Sequence, residues 1–199
     1  MSFYQIVLPI FTVVFLVQVF LIQSYIQWKK TGIKPYVFGN TESPHDYCGK
    51  VYKVMVIGTW VSIAFFSFFE AHYKYFLPFW FMSEDWLQHI GFGLGIVSFV
   101  WIIIAQNQMS SSWRIGINYE KKPRLIKKGL FSISRNPIFL GVMVSYFGTF
   151  LIIPNAISFA IMLLTYVVLQ IQIRLEEQYL SSSLSDEYNV YKNKVRRWI

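Results

Sequence analysis

Positions 136 to 173 hold 38 residues without one charged side chain, and acidic residues are scarce overall, with 10 Asp and Glu against 18 Lys and Arg in 199 residues. Only 14% of the chain is charged while 55% is hydrophobic and 20% aromatic, which excludes an ordinary soluble domain and marks an integral membrane protein. Cys48 is the single cysteine, so neither a disulfide framework nor a cysteine-based metal site is expected. His45, His72 and His89 are far apart in the chain, and no metal centre is expected from them either. The first apolar run has no basic residue before it and no small-residue cleavage site after it, so it reads as a retained span and not as a signal peptide. Repeats, low-complexity tracts and linkers are lacking, and residues 1–199 read as one domain. No glycine-rich loop follows a strand, which excludes a Rossmann-type nucleotide site.

What is present is a series of apolar runs. Three of them, at about 3–28, 54–69 and 86–109, precede the uncharged stretch, which Pro154-Asn155 divides into two runs of 18. One helix of 38 residues would be about 57 Å long, nearly twice the ~30 Å hydrocarbon core, whereas two antiparallel helices each fit it. The pattern predicts an all-α, polytopic membrane helix bundle of about five transmembrane helices. The eight-residue piece Tyr75–Met82, with Pro78 and Trp80, is too short for a sixth span and reads as an interfacial or re-entrant turn.

Basic residues orient such a bundle, because cytoplasmic loops accumulate them. Five lie in the first loop (Lys29, Lys30, Lys34, Lys50, Lys53), seven before the hairpin (Arg114, Lys121, Lys122, Arg124, Lys127, Lys128, Arg135) and five in the tail (Arg174, Lys192, Lys194, Arg196, Arg197). Only Lys74 falls on the other side, which predicts a multi-pass protein with its N-terminus outside and its C-terminus cytosolic, in a membrane such as a bacterial inner membrane. The net charge of +8 is then a topology signal with an attraction to anionic headgroups, and no nucleic-acid partner is expected.

The hairpin brings its two ends to one face. There the loop Ser110–Arg135 and Ser134-Arg135-Asn136-Pro137 meet Glu176, Glu177 and the tail. Pro137 suits a first helical turn that Asn136 or Ser134 can cap. On the residues alone, this is either a helix start with a snorkelling arginine or a helix N-terminus that binds an anionic or polar ligand group. Glu176 and Glu177 lie at a helix C-terminal end, where the dipole disfavours carboxylates, so each calls for a cationic or hydroxyl partner, internal or from a ligand. Beyond them Ser181–Ser185 reads as a loop and N-cap. Leu184, Tyr188, Tyr191, Val195 and Trp198 then recur at helical spacing opposite basic residues, an amphipathic C-terminal helix that either anchors to the membrane surface or covers a ligand.

Four pieces in this order resemble a known family: Ser112-Trp113-Arg114-Ile115-Gly116-Ile117, the segment Gly129–Gly141, Glu176-Glu177-Gln178-Tyr179-Leu180, and Glu187–Trp198. They are similar to the isoprenylcysteine carboxyl methyltransferase and phospholipid methyltransferase group of integral membrane enzymes, over about residues 105–199. The resemblance implies an S-adenosylmethionine-dependent methyltransferase acting on a lipophilic acceptor, isoprenoid, lipid or prenylcysteine-like, that enters from the bilayer. It implies cofactor contacts at Pro123, Arg124, Leu125, Ile126, Phe131, Asn136, Pro137, Ile138, Phe139 and Glu176. Because a sulfonium methyl needs no strong base, Arg135 and Glu177 are read as the catalytic pair, where they orient the acceptor. Asn136 and Phe139 stand where the family usually has histidine and tyrosine, and Gln172 stands where the prenylcysteine enzymes have an arginine for the substrate carboxylate. That last departure weighs against a prenylcysteine. Two other readings compete: an NADPH-dependent membrane sterol or enone reductase, disfavoured by the Glu-Glu doublet, and a non-catalytic membrane scaffold.

Overall fold

The structure, a computed structural model, describes residues 1–39, 41–119 and 123–199, so Lys121 and Lys122 of the basic loop lie outside it. The chain is an all-α membrane protein, with three isolated bridge pairs and no strand among the described residues. A first rod is built from α1 (Phe3–Leu16), a π-helical stretch (Val17–Ile22) and α2 (Gln23–Thr31). Then follow α3 (Pro44–Phe68), the single turn α4 (Glu70–Tyr73), α5 (Asp85–Met109), α6 (Pro137–Ile152) and α7 (Ala156–Lys194). Four rods, Phe3–Thr31, α3, α5 and α7, are long and apolar enough to cross a membrane. The expected fifth span, α6, has 16 residues, hence a length of about 24 Å, below the ~30 Å of the hydrocarbon core.

Packing explains why α6 belongs to the bundle despite its length. A Cβ added to Gly91 of α5 would lie 2.5 Å from the Gly148 carbonyl oxygen of α6, so the two backbones touch where neither carries a side chain. Small residues permit such close approach in a membrane, where helices associate by van der Waals packing. Trp101 Nε1 of α5 donates to the Pro137 carbonyl (2.8 Å) at the start of α6. In the first rod, the Val19 carbonyl of the π-helical stretch accepts from Gln106 Nε2 of α5 (2.9 Å), which satisfies a backbone group that hydrocarbon would leave unpaired.

The hairpin turns at Pro154-Asn155 as the sequence pattern predicts. Asn155 is fully buried: its Oδ1 caps α7 by accepting from Ser158 N (2.8 Å), and its Nδ2 donates to Ser62 Oγ and Tyr73 OH. The Tyr75–Met82 piece lies against this turn as two short 3-10 turns, with Phe79 N donating to Pro154 O and Ala156 N to Leu77 O. At the opposite end the first loop pairs with the long loop through Val37 N to Ile115 O and Ile115 N to Pro35 O. The tail pairs with the start of α6 through Arg135 N to Arg196 O. The three basic segments therefore share one end of the bundle.

Three local expectations are corrected. Ser181–Leu184 are helical, and the break is a single residue, Ser185, with φ 41°. The C-terminal helix lies on protein and not only on a membrane surface, because Tyr188 and Tyr191 are buried. It ends at Lys194, so Val195 and Trp198 lie outside the helical stripe. Finally, neither Asn136 nor Ser134 caps α6 by a side chain: Asn136 Nδ2 donates to Arg197 O (3.1 Å), and Ser134 Oγ accepts from Asn136 N (3.1 Å).

Candidate functional site

A cavity of about 860 Å³ runs from the end that holds the three basic segments down between the helices. Every candidate cofactor residue, Pro123 to Ile126, Phe131, Asn136 to Phe139 and Glu176, borders it, as do Arg135 and Glu177. Its walls are mostly apolar in the helical part, with Phe11, Phe15, Val56 and Trp60 among them, and polar at the upper end.

The doublet divides its two carboxylates. Glu177 is buried and accepts from two guanidinium groups: Arg135 Nε and Nη2 reach Oε1 (3.2 and 2.9 Å), while Arg197 Nε and Nη2 reach Oε1 and Oε2 (3.1 and 2.7 Å). Arg135 Nη1 also donates to the Lys192 and Val195 carbonyls (2.9 and 3.1 Å), which a helix end leaves without backbone partners. Arginine suits this place because its planar fork serves several acceptors at once. Its bond to Glu177 pushes the Arg197 guanidinium above its ordinary range. Together these contacts clamp the tail against the start of α6.

Glu176 is different. Its Oε1 accepts from Gln172 Nε2 one turn earlier (3.2 Å), and no arginine or lysine among the described residues forms an ion pair with it. A carboxylate at the polar end of the cavity with one amide partner has room for a cationic or hydroxyl ligand group. Opposite it, α6 begins with Pro137, which has no N–H to leave unsatisfied, so the free amides there are those of Ile138 and Phe139.

The lid over this end is built locally. Gly129 takes φ +65°, and a Cβ there would collide with the Gln108 amide, whose Oε1 accepts from Leu130 N (2.8 Å). Phe131 follows, and its carbonyl accepts from the Tyr191 hydroxyl (2.6 Å), joining loop to C-terminal helix. The long loop is pinned from the other side by His45, which sequence reasoning weighed only as a metal ligand. His45 Nε2 accepts from Ile117 N (2.8 Å), and Nδ1 faces Asp46 Oδ1 (3.2 Å). Asp46 in turn accepts from Gly39 N and Thr41 N (2.7 and 3.0 Å). Burial pushes the Tyr119 phenol up, aided by the charges of Glu176 and Asp46.

Among the described residues, the Tyr52 and Tyr188 hydroxyls, Gln106 Oε1 and Gln172 Oε1 are buried without a hydrogen-bond partner, all on residues that border the cavity; sequence reasoning named Gln172 and Tyr188 and missed Tyr52 and Gln106. A buried polar group so placed costs roughly 1 to 3 kcal/mol. Positions 52 and 106 lie far apart on two different helices and give no local signal.

Residues 86–187 match the phospholipid methyltransferase family. The chain is 40% identical over 72 residues to the protein-S-isoprenylcysteine O-methyltransferase of Saccharomyces cerevisiae, a match that covers 36% of this chain and 30% of the yeast protein. It is 58% identical over 33 residues to an uncharacterized protein of Haemophilus influenzae, covering 17% of this chain and 52% of that one. Among solved structures it is similar to the eukaryotic intramembrane Ras methyltransferase ICMT (isoprenylcysteine carboxyl methyltransferase), with a TM-score of 0.62 at 20% identity, over 91% of this chain and 63% of that chain. At that identity the likeness shows the fold. The chain thus spans from under a third to under two thirds of the length of the proteins it matches.

Proposed function

The chain belongs to the phospholipid methyltransferase family, and on that footing we propose that it transfers a methyl group from S-adenosylmethionine to a lipophilic acceptor. The observation that carries this reading is a single cavity with a polar, charged upper end and an apolar lower part within the helices. Two reactants of opposite polarity can meet there without a polar substrate entering hydrocarbon.

The residues present fit the methyl donor. Glu176, which forms no ion pair among the described residues, suits ribose hydroxyls or the amino group, and the Ile138 and Phe139 amides suit a carboxylate. Phe131, Leu125 and Ile126 offer apolar walls to an adenine. S-adenosylmethionine supplies, when bound, an electrophilic methyl group on a sulfonium. The protein's share is to position: Glu176 and the α6 start hold the polar end, the loop and the C-terminal helix exclude water, and the Arg135–Glu177–Arg197 clamp keeps that helix in place. In this reading Arg135 and Glu177, which the sequence assigns to orienting the acceptor, act mainly by fixing the cover. The basic end is cytosolic and the N-terminus lies on the other side.

Calorimetry of the purified protein with S-adenosylmethionine and with NADPH is the test. Binding of the first and not the second is expected. Binding of NADPH alone would replace the proposal with the reductase reading, and binding of neither would leave a scaffold.

A further inference from the structure

A second hollow, of about 570 Å³, lies on the exposed face of α7 and shares no lining residue with the large cavity. Tyr166, Val167 and Ile171 give it an apolar wall on the last turns of the uncharged run, and all three are exposed. Gln170 and Arg174 continue that wall toward the basic end, and the tail completes it with Arg197 and Trp198. No acidic side chain lines it.

Arg174 is held in an unusual way for a charge at a membrane boundary. Its Nη1 donates to the Gln170 carbonyl and to Gln170 Oε1 (2.8 and 2.7 Å). The helix runs from the Pro154-Asn155 turn toward the basic end, so Gln170 lies about 6 Å deeper in the bundle than Arg174. The guanidinium is thereby drawn toward hydrocarbon, whereas a long basic side chain near a helix end ordinarily reaches out to the interface. Arg174 is exposed and forms no ion pair among the described residues. Arg197 uses Nε and Nη2 on Glu177, and its side chain is still 32% exposed. Two guanidinium groups therefore border one groove that has no carboxylate of its own, together with a tryptophan, the residue type that marks the headgroup level. A cationic head would meet repulsion there. A phosphate diester meets two planar forks, and its chains meet apolar side chains of the same helix.

We propose that this groove holds an anionic phospholipid of the leaflet at the basic end, its phosphate shared by Arg174 and Arg197 and an acyl chain along Val167 and Ile171. The lipid is a bound partner and not the methyl acceptor, and the inference does not depend on the methyl-transfer reading. Because Arg197 also holds Glu177, the phosphate braces the tail on α7 from the membrane side as Glu177 does from the buried side. The charge of the membrane is thus coupled to how firmly the C-terminal helix is held.

The test uses the full-length protein in phosphatidylcholine bilayers that carry spin-labelled phosphatidylglycerol or spin-labelled phosphatidylcholine, in ~0.15 M salt, where exposed charges beyond ~8 Å are screened. The wild type should prefer the anionic lipid at its surface. Arg174→Gln should lower that preference about fivefold, the attraction of one basic residue for an anionic membrane. Lys194→Gln, at an exposed tail residue outside the groove, should lower it less than twofold. Val167→Trp, which fills the apolar part and leaves both arginines in place, should lower it as well and serves where Arg174→Gln fails to fold. Inorganic phosphate should not displace the labelled lipid. Protease cleavage after Ser185 should slow when phosphatidylglycerol is added to the wild type, and should not respond to it in Arg174→Gln. Equal association of the two lipids with the wild type overturns the proposal. Equal losses for Arg174→Gln and Lys194→Gln also overturn it, since the attraction is then diffuse surface charge. Displacement by inorganic phosphate makes the groove a site for a free anion and overturns the lipid, and cleavage of the wild type that ignores phosphatidylglycerol overturns the bracing.

Discussion

Two adjacent glutamates of the same helix reach opposite fates, and about 100° of helical rotation is the reason. Glu177 points to the tail and is held by Arg135 and Arg197, whereas Glu176 points into the cavity with Gln172 as its only hydrogen-bond partner among the described residues. Their substitutions should separate accordingly. Glu176→Gln keeps the shape and removes the charge. It should weaken S-adenosylmethionine by roughly 1.5 to 3 kcal/mol, the value of a charge-assisted hydrogen bond, with the melting temperature little changed. Unchanged affinity in calorimetry of the folded variant would remove Glu176 from the site. Glu177→Ala leaves two guanidinium groups facing each other, one of them largely buried. The loss expected for an uncompensated buried charge is about 3 to 5 kcal/mol, seen as a large fall in melting temperature and as early protease cleavage after Ser185. Cleavage kinetics equal to the wild type would show that the clamp does not hold the tail.

At the scale of elements, the hairpin was legible because its signal is composition: uncharged runs of span length with a breaker between them predict two helices and a turn at Pro154-Asn155, where the structure has it. The ends of elements were less legible. Ser181 to Leu184 look like loop residues, yet Tyr188 and Tyr191 pull the chain onto the cavity and the helix continues to Ser185. The family resemblance gathered residues round one cavity, but the pinning of the long loop by His45 arises from a contact between segments distant in sequence. The contact of α5 with α6 shares this property, since Gly91 and Gly148 carry no pattern that distinguishes them from Gly93. A Cβ at Gly148 would meet the Gly91 carbonyl oxygen at 2.6 Å, whereas one at Gly93 meets nothing within 4 Å. Gly148→Ala should therefore cost about 1 to 3 kcal/mol, while Gly93→Ala should be neutral or gain a few tenths from helix propensity. Thermal unfolding in detergent compares the two directly, and equal melting temperatures would contradict the close backbone approach.

The whole molecule poses the question of how two reactants of unlike polarity reach one cavity. The basic segments share one end, which the proposed function puts in the cytosol by the positive-inside tendency, and cysteine labelling in a Cys48→Ala background should place positions 128 and 199 on one side and position 83 on the other. In the proposed function the cofactor enters from the cytosol, past the loop and the C-terminal helix. The acceptor has another route. Leu21 on the first rod and Ile57 on α3 both border the cavity and yet are 65% and 63% exposed, which puts an edge of the apolar part among side chains that face hydrocarbon. In the proposed function a lipid slides in there with its tail still in the bilayer and only its head raised toward Glu176. Narrowing that edge should obstruct the lipid and leave the cofactor alone. Leu21→Trp and Ile57→Trp are accordingly expected to raise the KM for a long-chain acceptor several-fold, with S-adenosylmethionine affinity within twofold of the wild type. A short-chain, water-soluble acceptor of the same head group should be unaffected by either substitution. If both chain lengths slow alike, the acceptor does not come from the bilayer through this edge, and it must share the cytosolic entrance with the methyl donor.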